Sequence, residues 1–331
     1  DAPVHILAMG KAAEPMARAA LGWARERGTP VQGGVCVAHV AIVDPTALAP
    51  LVTVLGDHPI PAAASFAAAD RLGEAVDRVA AGDHAIVLVS GGTSSLLAAP
   101  LPGLAPEVLS ALGDALLHGG LPIDAVNRVR RRVHRWGGGR LAAALRARGA
   151  RITVLLASDV IGDTVPSIGS GPCAIAPVTD DEVRSLLHDL RGVPAAVHAW
   201  LDADAPTGRM PTDDAPTALL RQEIVTSAAA LAAAAEDESW RLGLHGDTAV
   251  GHLAGDAHDE GAAFATAMLA SRTRRRARGT RPAPVLRIAV GEPVVQVPDP
   301  ARALGGRMQA FALAAARVLH DAGDEAEGLH I

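Results

Sequence analysis

Lys11 is the only lysine among the 30 lysines and arginines of this 331-residue chain, and it stands where a cation works against stability. The run Val4-His5-Ile6-Leu7-Ala8-Met9 reads as a buried strand, Gly10 turns the chain, and Ala12 to Leu21 reads as the opening of a helix. A cation at a helix N-terminus opposes the macrodipole by about 0.3–1 kcal/mol at exposed sites. A compact ammonium beside free backbone N–H groups suits a phosphate or a carboxylate, and we assign that chemistry to this turn over a chance surface lysine.

Three other turns carry similar potential. Ser90-Gly91-Gly92-Thr93-Ser94-Ser95 follows the apolar run 85–89. Its glycines admit a ligand close to the backbone and its hydroxyls add donors, so it reads as an oxyanion cradle; N-capping alone accounts for one hydroxyl. Ser158-Asp159-Val160-Ile161-Gly162-Asp163 follows the run 152–157 and sets two aspartates four apart. Asp159 and Asp163 suit holding Mg²⁺ or orienting a hydroxyl nucleophile, or plain turn and cap duty. Arg307, in Gly305-Gly306-Arg307 at a helix start, could brace a transferring phosphoryl group. In Asn127 to Trp136, Val129 and Val133 mark one apolar face and the arginines read mostly as a solvated face, with Arg130 the one taken to reach the site. The 13 histidines form no tight ligand pair, since His252 and His258 are too widely spaced for a zinc motif. Neither G-x-x-x-x-G-K-[ST] nor a strand-borne G-x-G-x-x-G occurs, so neither common phosphate-binding loop is in use.

The elements that must position these turns are legible. Apolar runs at 4–9, 35–43, 51–55, 85–89 and 152–157 alternate with helical patterns at about 12–27, 65–81, 106–118 and 138–148. Short continuous apolar strands with intervening helices predict a parallel sheet covered on both faces. A helical region at about 179–203 precedes a Pro/Asp/Thr-rich loop at 204–216 and a long Ala-rich helix at about 217–242. Arg272 to Pro282 lacks apolar periodicity and reads as an exposed linker, ahead of a strand pair at 285–290 and 293–297 and a helix at 306–320. The expected domains are 1–240, a connecting segment 241–284, and a smaller α/β domain at 285–331.

A net charge of −6 gives no attraction to nucleic acid or anionic membrane. Cys36 and Cys173 form neither a disulfide framework nor a metal spacing, and no apolar run approaches 18 residues. A soluble, reduced, cytoplasmic protein is expected. The lack of an initiator Met, and a closing Gly328-Leu329-His330-Ile331 that reads as a strand just entered, suggest a fragment.

Taken in order, the chain resembles the glycerate 2-kinase family, whose C-terminal part is the MOFRL domain. The matching pieces are Met9-Gly10-Lys11-Ala12-Ala13-Glu14-Pro15-Met16, Gly56-Asp57-His58-Pro59-Ile60-Pro61, Ser90-Gly91-Gly92-Thr93-Ser94, Gly138-Gly139-Arg140-Leu141-Ala142 and Ser158 to Asp163, then Ser170-Gly171-Pro172. Gly255-Asp256-Ala257, Gly291-Glu292 and Gly305-Gly306-Arg307-Met308-Gln309 match more weakly. The resemblance implies a large N-terminal Rossmann-like parallel-sheet domain, a smaller C-terminal α/β (MOFRL) domain, apparently cut short here, and a site in the cleft between them. It implies an ATP- and Mg²⁺-dependent kinase acting on the 2-hydroxyl of D-glycerate. Lys11, Asp159 and Arg307 fall on its catalytic positions. Ser90, Gly91, Gly92, Thr93, Ser94, Arg130, Asp163 and Glu292 are the expected substrate or phosphate contacts, with Asp159 as the Mg²⁺ candidate. The expected partner is the small-molecule substrate, with a homodimer left open.

This chain also departs from the family pattern. Thr93 stands where a third glycine is usual, His134 and Gly137 stand where Ser and Lys are usual, and Met308 and Ala310 replace Asn and Glu. Pro293 follows Glu292 where the family has Thr, and the Asp-rich closing segment does not appear before Ile331. These departures keep open a non-catalytic descendant that binds glycerate or nucleotide. A hydroxypyruvate reductase would need a nicotinamide site, for which no fingerprint is present.

Overall fold

The computed structural model describes residues 2–160, 162–203, 210–211, 220–244, 250–277, 286–295 and 305–331. They fall into two compact units, 1–227 and 228–331.

The first unit opens with β1 (Val4–Met9), α1 (Ala13–Glu26), β2 (Val31–Ala38), β3 (Val52–Leu55), α2 (Ala63–Asp77) and β4 (His84–Ser90). A single helical turn α3 (Thr93–Leu96), α4 (Pro106–His118), α5 (Ile123–Val133), α6 (Arg140–Ala147) and β5 (Arg151–Ala157) follow. It closes with α7 (Asp180–Leu187), α8 (Ala195–Asp202) and β6 (Leu220–Thr226). The six strands form one sheet in the order β3-β2-β1-β4-β5-β6, and every pairing is parallel. This is the Rossmann-like arrangement that the alternating pattern predicts, with its topological switch point between β1 and β4.

Period-two alternation explains how both faces of the sheet are covered. Leu7, Met9, Val87 and Val89 point to the side of Leu72 in α2 and of Leu141 and Leu145 in α6. Ile6, Ala8, Ile86 and Leu88 point the other way, to Ala13, Ala17 and Leu21 of α1. A separate helical core joins Leu109, Leu112 and Leu116 to Val126, Val129 and Val133, and on to Val183, Leu187, Val197 and Leu201.

Register then places the turns. Met9 lies opposite Val89, and Ser90 lies opposite Ala157. The exits Gly10-Lys11, Gly91-Gly92 and Ser158-Asp159 therefore leave neighbouring strands side by side.

The second unit holds α9 (Ala228–Arg241), β7 (Val250–Leu253), α10 (Ala257–Ala277), β8 (Ile288–Gly291) and α11 (Arg307–Asp321). β7 and β8 pair in parallel, and Phe264 of α10 meets Phe311 of α11 with ring centroids 5.6 Å apart. Gly261 lets those helices close: a Cβ there would sit 2.2 Å from the Phe311 carbonyl oxygen.

Several sequence expectations change. The long helix at 217–242 is an edge strand followed by α9, which packs in the second unit. The expected linker 272–282 is helical as far as Ala277, where α10 of the second unit ends. β8 pairs with β7, and Val294 makes only an isolated bridge to Asp256, so the expected pair 285–290 and 293–297 does not form among the described residues. β2 ends at Ala38, five residues short of the expected Val43, which is fully exposed. Most of the loop 204–216, and residues 278–282, lie outside the described residues.

Candidate active site

The site is built on a floor of two glycines. Gly10 brings β1 against β4 so closely that a Cβ would lie 2.3 Å from Ser90 Oγ, and its φ of +112° suits glycine. The Lys11 N–H donates to the Gly91 carbonyl at 2.8 Å, and the Ala12 N–H donates to Ser90 Oγ at 2.9 Å. Gly91 is buried and Gly92 half-buried, and other side chains stand where theirs would be. A Cβ on Gly91 would fall 1.7 Å from Asp159 Oδ2, so the carboxylate occupies the room of the missing side chain. A Cβ on Gly92 would lie 3.3 Å from Lys11 Cγ and 3.3 Å from His58 Cδ2. Asp159, Lys11 and His58 thus surround one glycine pair at the switch point of the sheet.

Arg130 stands behind them. It is half-buried on α5 and donates from Nη1 to Ser94 Oγ at 3.3 Å, with no ion pair among the described residues. Desolvation pulls its guanidinium pKa below the usual value, the mark of a cation held away from water without a compensating anion. Lys11 is exposed and likewise makes no ion pair among the described residues. His58 has its pKa lowered, first by burial and then by the charges of Lys11, His39 and Arg130.

Two of the expected cradle hydroxyls do other work. Ser90 Oγ, besides receiving the Ala12 N–H, donates to the Met9 carbonyl, and Thr93 Oγ1 donates to the carbonyls of Met9 and Ser90 at 3.1 and 2.8 Å. They lash β1 to β4 and do not line the floor. Thr93 is accommodated because Gly169 leaves room: a Cβ on Gly169 would meet the Thr93 Cβ at 2.8 Å. Thr93, which stands where the family pattern has a third glycine, thus turns its side chain into the core. Ser94 alone of the three points its oxygen at a cation.

The expected solvated arginine face of α5 is also corrected. Arg131 and Arg132 are buried, because Arg131 Nη1 donates to the Pro166 carbonyl at 3.1 Å while Arg132 meets Asp180 at 2.5 Å and stacks 4.4 Å from the Trp200 ring centre. Arg140, after the paired glycines 138 and 139, donates from Nη1 to the carbonyls of Arg131, His134 and Gly137, closing the C-terminal end of α5. Asn127 and Ser170 hydrogen-bond at 3.1 Å and steady the loop that leaves Asp159. Asp163 sits in that loop with a left-handed φ of +47°.

In the second unit, Arg307 Nη1 and Glu292 Oε1 pair at 2.8 Å, so the structure brings these two candidates to each other. Asp256 accepts from the His258 N–H at 2.9 Å and caps α10, which accounts for the Gly255-Asp256 match.

A family model described as a domain of unknown function, DUF4147, matches residues 1–202. The chain is 29% identical over 333 residues to the glycerate 2-kinase of Pyrococcus horikoshii, covering 96% of this chain and 70% of that protein. It is 33% identical over 184 residues to the D-glycerate 2-kinase of Thermotoga maritima, covering 56% of this chain and 43% of that one. A provisionally named hydroxypyruvate reductase of Agrobacterium vitis is 35% identical over 264 residues, 78% of this chain and 65% of its own. The crystal structure of Thermotoga maritima glycerate kinase superposes with a TM-score of 0.74 at 26% identity, over 96% of this chain and 73% of that one. The chain belongs to the DUF4147 glycerate kinase family.

Within this family fold, one functional candidate escaped the residue-level reading of the sequence. His58 belongs to the quoted Gly56-Asp57-His58-Pro59 motif, yet nothing in that motif says where it lands. Gly56 packs on the Leu96 carbonyl, where a Cβ would lie 2.1 Å away, and the Asp57 carboxylate accepts the N–H groups of Ala64 and Ser65 at the start of α2. Those two contacts carry the imidazole to Gly92.

Proposed function

We propose that the protein is an ATP-dependent glycerate 2-kinase, moving the γ-phosphoryl group of ATP to the 2-hydroxyl of D-glycerate. The observation that carries this reading is the pair of cations, Lys11 and Arg130, with no carboxylate partner among the described residues at the switch point of the sheet. Both substrates are anions, and phosphoryl transfer is catalysed chiefly by positioning and charge neutralisation. Lys11 reaches the phosphoryl oxygens across Gly92, and Arg130, steadied by Ser94, takes the glycerate carboxylate. In the second unit, the exposed Arg307–Glu292 pair is worth only about 0–1 kcal/mol, so Arg307 can exchange Glu292 for another anion.

Mg²⁺ fits this donor set. Among the described residues no group of three or more His, Cys, Asp or Glu could cage a metal. Mg²⁺ in phosphotransferases needs only one or two carboxylates, with water and phosphate completing its shell. Asp159, seated on a glycine floor that a Cβ would block, is the carboxylate to hold it, with Asp163 on the same loop. The ion would supply neutralisation of phosphate charge. We take the second unit as the counterpart of the MOFRL part.

The reductase name of the Agrobacterium relative finds no support in the turn after β1, which holds a lysine and one glycine where a dinucleotide fold carries a glycine triad. The test is an assay of the protein with ATP, Mg²⁺ and D-glycerate that resolves 2- from 3-phosphoglycerate. Formation of 2-phosphoglycerate is expected. Binding of glycerate or ATP without product would replace the kinase with a sensor, and NADH oxidation with hydroxypyruvate would replace it with a reductase.

A further inference from the structure

We propose that His58 is a catalytic residue of this site, taking the proton of the acceptor hydroxyl as the phosphoryl group arrives. The inference rests on the kinase reading and deepens it.

Position comes first. The Cδ2–Nε2 edge of the imidazole faces Gly92, with a Cβ at that glycine lying 3.3 Å from Cδ2 and 3.4 Å from Nε2. The same point is 3.3 Å from Lys11 Cγ, so imidazole and lysine both pack closely over Gly92. An acceptor bound against this pair meets both the cation that receives phosphoryl charge and a nitrogen that can receive a proton.

Availability comes second. Neither ring nitrogen of His58 has a hydrogen-bond partner among the described residues. By contrast His5 is held by Asp83 at 3.0 Å and His84 by Thr153 at 2.8 Å. The loop that carries His58 is nevertheless fixed, through Gly56 against Leu96 and through Asp57 and Ser65, whose hydroxyl receives the Asp57 N–H at 2.8 Å. His58 is exposed, so on this pinned loop its open nitrogens face solvent and are free to meet a ligand.

Charge comes third. Loss of water, then the charges of Lys11 in the turn after β1, His39 just past β2 and Arg130 on α5, disfavour the imidazolium. Asp159 sits at the neighbouring glycine. The neutral ring therefore persists to lower pH than in an ordinary histidine, ready to accept. Imidazole also has its ordinary pKa near neutral pH, which suits a general base.

The step balances. The 2-hydroxyl oxygen forms the bond to the γ-phosphorus, and the bond from that phosphorus to the β,γ-bridging oxygen breaks. ADP departs with the electron pair, the hydroxyl proton passes to His58 Nε2, and solvent later removes it.

The experiment follows kcat and KM from about pH 5 to about pH 9 for the wild type, His58→Gln, His58→Asn and Asp159→Asn. In the His58 variants kcat should fall roughly 10²–10⁴-fold with KM little changed, and the decline of rate on the acid side should disappear. Asp159→Asn should be slower but keep that acid decline. Histidine NMR of the wild type supplies a second readout: the His58 signal should titrate below the ordinary range and move when D-glycerate is added without nucleotide. A folded His58 variant with kcat within about threefold of wild type and an unchanged acid limb would overturn the proposal. So would a His58 signal that ignores D-glycerate in a protein that turns it over. Absence of phosphoglycerate from the wild type would remove the kinase reading and the base together, whereas failure confined to the His58 readouts removes the base alone.

Discussion

The two ends of the six-stranded sheet carry the same kinds of side chain and treat them in opposite ways. At the N-terminal end, His5 Nε2 meets Asp83 Oδ2 at 3.0 Å, and the Ala80 N–H donates to that oxygen at 2.8 Å. His84 is bound to Thr153, and Arg148 Nε donates to the Val79 carbonyl at 2.7 Å. At the C-terminal end, Lys11 and His58 find no such partner among the described residues, and Arg130 finds only a hydroxyl. Lys11 and His58 are exposed and meet water, whereas Arg130 is half-buried, and a charge drawn from water without an anion costs free energy. A fold that pairs its polar groups at one end has the means to do so at the other. The half-buried Arg130, with the open Lys11 and His58 beside the same turns, therefore marks the end where a ligand is expected, and local rules are broken where function requires it.

The comparison breaks most decisively at Lys11. Lys11→Arg keeps the charge but changes size and hydration, and turnover should fall well over tenfold, measured by steady-state kinetics. Lys11→Ala should abolish more activity while leaving thermal stability unchanged or slightly raised, because a cation opposing the helix dipole is gone. Turnover that survives Lys11→Arg would take Lys11 out of the mechanism. Next comes Gly91→Ala, whose Cβ would collide with the Asp159 carboxylate at 1.7 Å. It should lower kcat at least about tenfold in a protein with native circular dichroism, by displacing the carboxylate proposed to hold Mg²⁺.

The opposite end of the sheet should answer in stability alone. Asp83→Asn should lower Tm by roughly 3–6 °C with kcat within about twofold of wild type. The Asp83 carboxyl is held below its usual pKa, first by the Ala80 N–H and then by His5. Its contribution is thus full above the unfolded carboxylate range and is lost as pH falls through the lower folded value. A melt series into acid should decline less steeply for Asp83→Asn than for wild type. A large fall in kcat there would dissolve the contrast between the ends.

His134 sharpens the picture with a smaller effect. Burial, then Arg130 and Arg140, push its pKa down to about 3, so it stays neutral in the folded protein while the unfolded chain protonates near the ordinary value. Stability should therefore drop as pH falls from about 6.5, and His134→Gln should flatten that slope in chemical denaturation. An unchanged slope would show that His134 is not the group responsible.

Strand positions were legible because a parallel sheet buried on both faces needs continuous apolar runs, and Ile6 to Met9 or Ile86 to Val89 offer no other reading. β6 was not, since Leu220-Arg-Gln-Glu-Ile-Val-Thr is an edge strand whose side chains are mostly exposed, and an edge needs no apolar pattern. At the site, Lys11 and Asp159 were readable from their turns, because a strand exit fixes where a neighbouring residue points. Ser90 and Thr93 were misread, as a hydroxyl cannot declare from sequence whether it faces a ligand or a carbonyl. His58 and the inward turn of Arg131 and Arg132 depend on contacts between segments 30 to 50 residues apart. No local pattern encodes those.

A sole lysine on the floor of the site has a practical side. Lys11 is the one lysine of this sequence, and it is exposed beside Gly92. Acylation of its amine, read by peptide mass, becomes a direct gauge of occupancy, because any anion that settles over the glycines shields it. The same chemistry is a trap for the experimenter. Coupling the protein to a sensor surface through amines anchors a share of the molecules by the group they need to work.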